Sequence, residues 1–211
     1  MIRNIICAAI LFLMLFISYL SYSSLPDMLA MRYTLDGVGY QYVTKNVATI
    51  FLPTTYLACI LLTMLYVKLR PTKLNLDNST FATKEAIIAM GVLMLGYHYA
   101  NLTQYHEMAE NMAGCQTKVC SIALFFIISS NFWGKIEPNY LFGCKLPWTL
   151  ASTNNWRLTH RLIAKVSAVT GTLLLLTTLI YPSFYISLVA ILLFVLIPSC
   201  YSYWLFRYRG I

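Results

Sequence analysis

Six long apolar runs separated by polar connections set the pattern of this chain. They cover residues 5–23, 47–67, 83–102, 118–133, 158–181 and 184–206. A helix needs about 20 apolar residues to cross a hydrocarbon layer of ~30 Å. In lipid, only helices and closed barrels satisfy their own backbone groups. The pattern therefore predicts an all-α integral membrane protein with six transmembrane helices, a single polytopic domain over residues 1–211. The first run is longer than the apolar core of a secretory signal and more spans follow it, so it reads as an uncleaved helix. Thr83 has the hydroxyl to cap the third helix. Pro53 falls in the first turns of the second run and marks an expected kink, its freed backbone partner re-satisfied by neighbouring helices.

Two polar connections stand out. In residues 24–46, Arg32 to Leu35 and Val38 to Tyr42 flank Asp36-Gly37. Asp-Gly suits a type I′ turn because both central residues take positive φ, and the flanks favour strand. A small hairpin is expected between the first two helices, resting on the membrane surface or other loops because a lone hairpin is marginal in water. The second connection is an island over residues 131–165. It holds Asn131, Trp133, Lys135, Asn139, Gly143, Pro147, Trp148, Asn154, Asn155, Trp156, Thr159, His160 and Arg161, including three of the chain's 4 tryptophans. A loop of this length without a strong helical pattern is more often functional than idle.

Composition and charge sharpen this picture. Of 211 residues 59% are hydrophobic and 10% charged, against about 45–50% and 25% in soluble domains. A net charge of +8 would suggest nucleic acid in a soluble protein; here it sets topology and meets anionic headgroups, so no direct nucleic-acid partner is expected. With the N-terminus inside, Arg3, Lys68, Arg70, Lys73, Lys84, Lys135, Lys145, Arg157, Arg161, Lys165, Arg207 and Arg209 are cytoplasmic; only Arg32, Lys45 and Lys118 are outside. The positive-inside rule then puts both termini and the island in the cytoplasm and the hairpin outside.

The chemistry available is sparse. Arg157, Arg161 and Lys165 share one helix face at i, i+4, i+8, which serves either a binding site or simple anchoring to anionic lipid. His160 lies beside that stripe, where basic neighbours disfavour a second proton. The tryptophans fit an interfacial belt as well as a site. His106 and Glu110 have metal-ligand spacing, but no third and fourth ligands accompany them, so no metal or cofactor is expected. None of the 7 carboxylates lies well inside a span, and no nucleophile, zinc or phosphate-loop motif appears. An enzyme is not expected. Cys115 and Cys120 are the cysteine pair on the outer, oxidising side; a disulfide between them requires the fourth helix to begin near Lys118.

The island resembles the signature of the SdpI family of membrane immunity proteins. Asn131, Lys135, Pro138-Asn139, Gly143, Pro147-Trp148-Thr149-Leu150, Trp156, Thr159-His160-Arg161 and Lys165 carry the likeness. Residues 24–53 are similar to the module that often precedes it, through Leu25-Pro26, Gly37, Lys45 and Pro53. Departures include Arg32 for His, Thr34 for Asn, Ser130 for Gly, Glu137 for a basic residue and Ala164 for Gly. The resemblance divides the domain into a two-helix module, 1–80, with its outer loop, and a four-helix part, 81–211, carrying the signature loop. It implies a multi-pass protein of the bacterial cytoplasmic (inner) membrane that gives resistance to a secreted peptide toxin, with membrane lipids as surroundings. It further implies a receptor role in which a cognate transcriptional repressor is held at the membrane. The binding residues it points to are Asn131, Lys135, Asn139, Pro147, Trp148, Trp156, Thr159, His160 and Arg161. The competing expectation is a small transporter or lipid-binding protein with the 131–165 loop as inner gate.

Overall fold

The computed structural model describes residues 2–33, 39–69, 77–103, 113–138 and 143–211. In chain order the elements are α1 (Ile2–Ser21), β1 (Met28–Tyr33), β2 (Gly39–Thr44), α2 (Lys45–Leu69), α3 (Asp77–Thr103), α4 (Ala113–Trp133), α5 (Pro147–Ala151), α6 (Thr153–Ile180) and α7 (Phe184–Arg209). Among the described residues six helices, all but the short α5, are long and apolar enough to cross a membrane. Large apolar side chains lie exposed along them, such as Phe12, Leu62, Leu176 and Leu192. In lipid such an outer surface needs no covering, because lipid tails are as apolar as leucine. This is a multi-pass membrane protein.

Helices α3 and α4 form the spine. α1 and α2 pack on α3, α4 packs on α6, and α7 packs on α6. Where apolar burial gives little drive between helices, small residues and hydrogen bonds hold them. A Cβ on Gly171 of α6 would sit 2.9 Å from the Ala123 carbonyl of α4, so glycine lets these backbones meet. One turn away Ser129 and Ser167 share a hydrogen bond of 2.9 Å, and Ser167 Oγ donates to the Phe126 carbonyl at 2.8 Å.

Pro53 lies inside α2, where its missing N–H leaves the Thr49 carbonyl without a helical donor. Ser18 Oγ of α1 reaches that carbonyl at 2.8 Å. His98 Nε2 of α3 lies 2.8 Å from the same hydroxyl. A backbone group freed by proline thus ties three helices together.

Between α1 and α2, β1 and β2 pair antiparallel, from Met28 opposite Thr44 to Tyr33 opposite Gly39, with irregularities on either side of Arg32. Leu25 and Leu29 pack with Ala48 of α2 and Leu102 of α3, so the pair leans on helix ends. The expected turn at Asp36-Gly37 lies outside the described residues, as do Thr34, His106, Glu107 and Glu110.

Three boundaries differ from expectation. α3 begins at Asp77, which puts Thr83 within the helix rather than at its cap. α6 begins at Thr153 because Ser152 caps it, accepting from the Asn155 N–H. α4 begins at Ala113, so Cys115 and Cys120 both lie within one helix and both thiols are free. Five helical residues put their Cα atoms roughly 8 Å apart, beyond the ~4.4–6.8 Å of a disulfide. The Cys115–Cys120 bridge is thereby corrected to two separate thiols.

Candidate functional site

The end of α4, the loop that follows, α5 and the start of α6 build one packed structure. α4 closes with a turn in which the Lys135 and Ile136 N–H groups bond the Phe132 and Trp133 carbonyls. The turn leaves the Ile136 carbonyl facing inward, where the Trp156 indole Nε1–H donates to it at 2.9 Å. Trp156 is fully buried and stacks on His160 with centroids 4.1 Å apart.

His160 is also fully buried, and both ring nitrogens have partners. Nε2 accepts from the Cys144 N–H at 3.1 Å, which leaves Nδ1–H to donate to the Trp156 carbonyl at 2.9 Å. An amide on one nitrogen and a carbonyl on the other select a single neutral tautomer. The chain can reach His160 there because Gly143 has φ +124°; a Cβ would lie 2.6 Å from His160 Nε2 and 2.8 Å from the Trp156 ring. Neighbouring Cys144 is half-buried, and burial pushes its thiol above the usual range.

Short helix α5 has Pro147 at its start, where the absent N–H would have no helical partner in any case. Thr149, buried beneath it, accepts from the Leu146 N–H at 2.9 Å and donates to the Cys144 carbonyl at 2.7 Å. Trp148 packs on α7, with ring centroids 5.4 Å from Tyr203 and 6.0 Å from Phe206. Asn155 uses its whole amide. Nδ2 donates to the Ser202 and Ile211 carbonyls at 3.0 and 2.9 Å. Oδ1 accepts from Thr159 and Ser202 hydroxyls at 3.0 and 2.8 Å.

The expected site residues thus separate into two sets. Trp156, Thr159 and His160 point inward. Thr159 donates to the Asn155 side chain and so orients it. Asn131, Lys135, Pro147 and Arg161 are exposed. Lys135 Nζ donates to Asn131 Oδ1 at 3.2 Å and lies 5.0 Å from the Phe81 ring centre. Arg161 backs onto the α4 terminus at Gly134 but presents its charge outward. It does not share a face with His160, since neighbouring helical positions point about 100° apart. Asn139 lies outside the described residues. Asn155, Thr149 and Ser202 were not singled out as site residues. Asn155 and Thr149 lay within the signature stretch, but Ser202 was hidden in an apolar run. Among the described residues no cluster of three His, Cys, Asp or Glu side chains could hold a metal.

Arg3 of α1 also lies over the Phe81 ring, at 4.4 Å. Residues 3, 81 and 135 therefore meet at one end of the bundle, the end that holds the loop.

Residues 135–202 match the SdpI/YfhL protein family, a stretch running from Lys135 through the loop and α6 to Ser202; it does not include Asn131 or residues 24–53. The chain is also similar to "Immunity protein SdpI" of Bacillus subtilis (strain 168), 25% identical over 169 residues, covering 80% of this chain and 78% of the relative. No solved structure matches. Thr149, Asn155, Trp156 and His160 all fall inside the matched stretch, and over that stretch the chain is similar to the SdpI/YfhL family.

Proposed function

We propose that this protein is a membrane immunity protein, one that gives its cell resistance to a secreted antimicrobial peptide toxin without catalysis. The observation that carries this reading is the likeness to an immunity protein over 80% of the chain, well beyond the loop alone. The placement of Lys and Arg supports an orientation with both termini and the loop in the cytoplasm and β1–β2 outside.

Within that reading the inward set (Trp156, Thr159, His160) fixes the loop, and Asn155 joins it. The exposed set (Asn131, Lys135, Pro147 and Arg161, with Trp148 at its edge) is left to meet a partner. Arg157, Lys145 and Lys165 are exposed as well, giving a cationic cytoplasmic face. Such a face suits an acidic surface of a repressor held at the membrane, with Arg161 able to fork to a carboxylate.

Toxin challenge of cells with and without the gene tests the immunity role. The expected result is protection without solute flux; equal killing of both strains overturns it. At matched membrane levels, Arg161→Gln should impair protection more than Arg207→Gln. Equal effects would reduce the loop's charge to a lipid anchor.

A further inference from the structure

A second feature lies at the loop's end of the bundle but is built by other helices. α1 and α2 are both held chiefly through α3, and between them opens a cleft of about 550 Å³. Its rim carries Arg3 from the start of α1, Lys68 from the last turn of α2 and Lys84 from α3. Its deep end is apolar, reaching Leu11 on α1 and Leu57 on α2. From Lys68 to Leu57, α2 descends roughly 16 Å at helical rise. That is about half of a ~30 Å hydrocarbon layer, the depth of one leaflet.

Among the described residues the charges at the rim do not balance. Arg3 is paired with Glu85 and lies over the Phe81 ring, which fixes its position. Neither Lys68 nor Lys84 forms an ion pair with a described residue. Among the described residues, three cations and one carboxylate therefore stand at the mouth of an apolar slot one leaflet deep. Basic pockets between transmembrane helices suit anionic headgroups, and the volume lies within the ~300–1,000 Å³ of small-molecule sites.

We propose that this cleft binds one anionic phospholipid, its phosphate between Lys68 and Lys84 and an acyl chain running down to Leu11 and Leu57. A lipid seated there fills the seam between α1 and α2. It thereby couples the first helix of the chain to the membrane's anionic lipid content. The immunity reading is not needed for this.

Native mass spectrometry of the full chain in detergent, offered equal phosphatidylglycerol and phosphatidylcholine, tests it. The protein should retain phosphatidylglycerol selectively. A Lys68→Gln/Lys84→Gln double variant should lose that retention by on the order of tenfold. Arg207→Gln/Arg209→Gln, which removes two cations from α7, should leave it unchanged. Ala8 of α1 also lines the cleft, so Ala8→Trp, which narrows it while leaving the rim cations, should also displace the lipid. Equal retention of both lipids, or equal losses in the two double variants, would overturn the proposal. Full displacement by inorganic phosphate would overturn it too, by showing an anion site with no use for the acyl chain.

Discussion

The two polar connections of this protein are held in opposite ways. Between α1 and α2, the β1–β2 pair is built from backbone bonds, to which any side chain but proline can contribute. Its one described ion pair, Lys45 with Asp27 at 2.9 Å, leaves Asp27 almost wholly exposed. Among its described residues the loop from α4 to α6 has no ladder. Its shape rests on the Asn155 amide, the Trp156 indole, the His160 ring and the Thr149 hydroxyl, each buried and each bonded to a specific carbonyl, amide or hydroxyl. A ladder spreads its energy over interchangeable units. A side-chain lock concentrates it in a few atoms, so a single substitution leaves a buried group without a partner.

That contrast can be broken or sharpened by substitution. The largest effect is expected at Asn155. Asn155→Leu deletes four hydrogen bonds, three of them from α6 to α7 or Ile211, and should lower stability by about 2–4 kcal/mol, measured by unfolding of the purified protein in detergent. Next comes Gly143→Ala, where a left-handed φ and contact with His160 and Trp156 combine. A loss of about 2 kcal/mol is expected, with Cys144 becoming more reactive to maleimide as the loop lifts away. Trp156→Phe keeps the stacking on His160 but removes the donor to Ile136, and should lose about 1–2 kcal/mol in the same unfolding measurement. The smallest effect belongs to the strand pair: Asp27→Asn should leave the unfolding midpoint unchanged, as exposed ion pairs contribute little. A drop at Asp27 as large as that at Trp156 would erase the distinction between the two connections.

The outward set gives a different kind of test. Lys135→Gln with Arg161→Gln should leave unfolding unchanged while reducing protection in the toxin challenge. Loss of both together would make these cations structural.

Much of this protein was legible from the order of its residues. Run length and the scarcity of charge gave six membrane helices, since the backbone in lipid admits few alternatives. The strand-forming flanks of Asp36-Gly37 pointed to the β1–β2 pair, and the density of amides, tryptophans and cations marked residues 131–165. Helix ends were less legible. Ser152 starts α6 and Ala113 starts α4 through polar residues that run length alone counts as loop, and the second of these removes the Cys115–Cys120 bridge.

Tertiary structure alone decided which way each marked residue faces. Thr159, His160 and Arg161 are consecutive, yet two are buried and one is exposed, because α6 lies against α4 and α7 on one side only. Asn155 and Ser202 are 47 positions apart, and nothing in either neighbourhood announces the other. Ser18 and Pro53 are likewise joined only because the Thr49 carbonyl lost its donor where α1 crosses α2. Hydropathy is a property of each stretch by itself, so sequence can specify it locally. A buried hydrogen bond is a property of two stretches, and exists only once packing has brought them within about 3 Å.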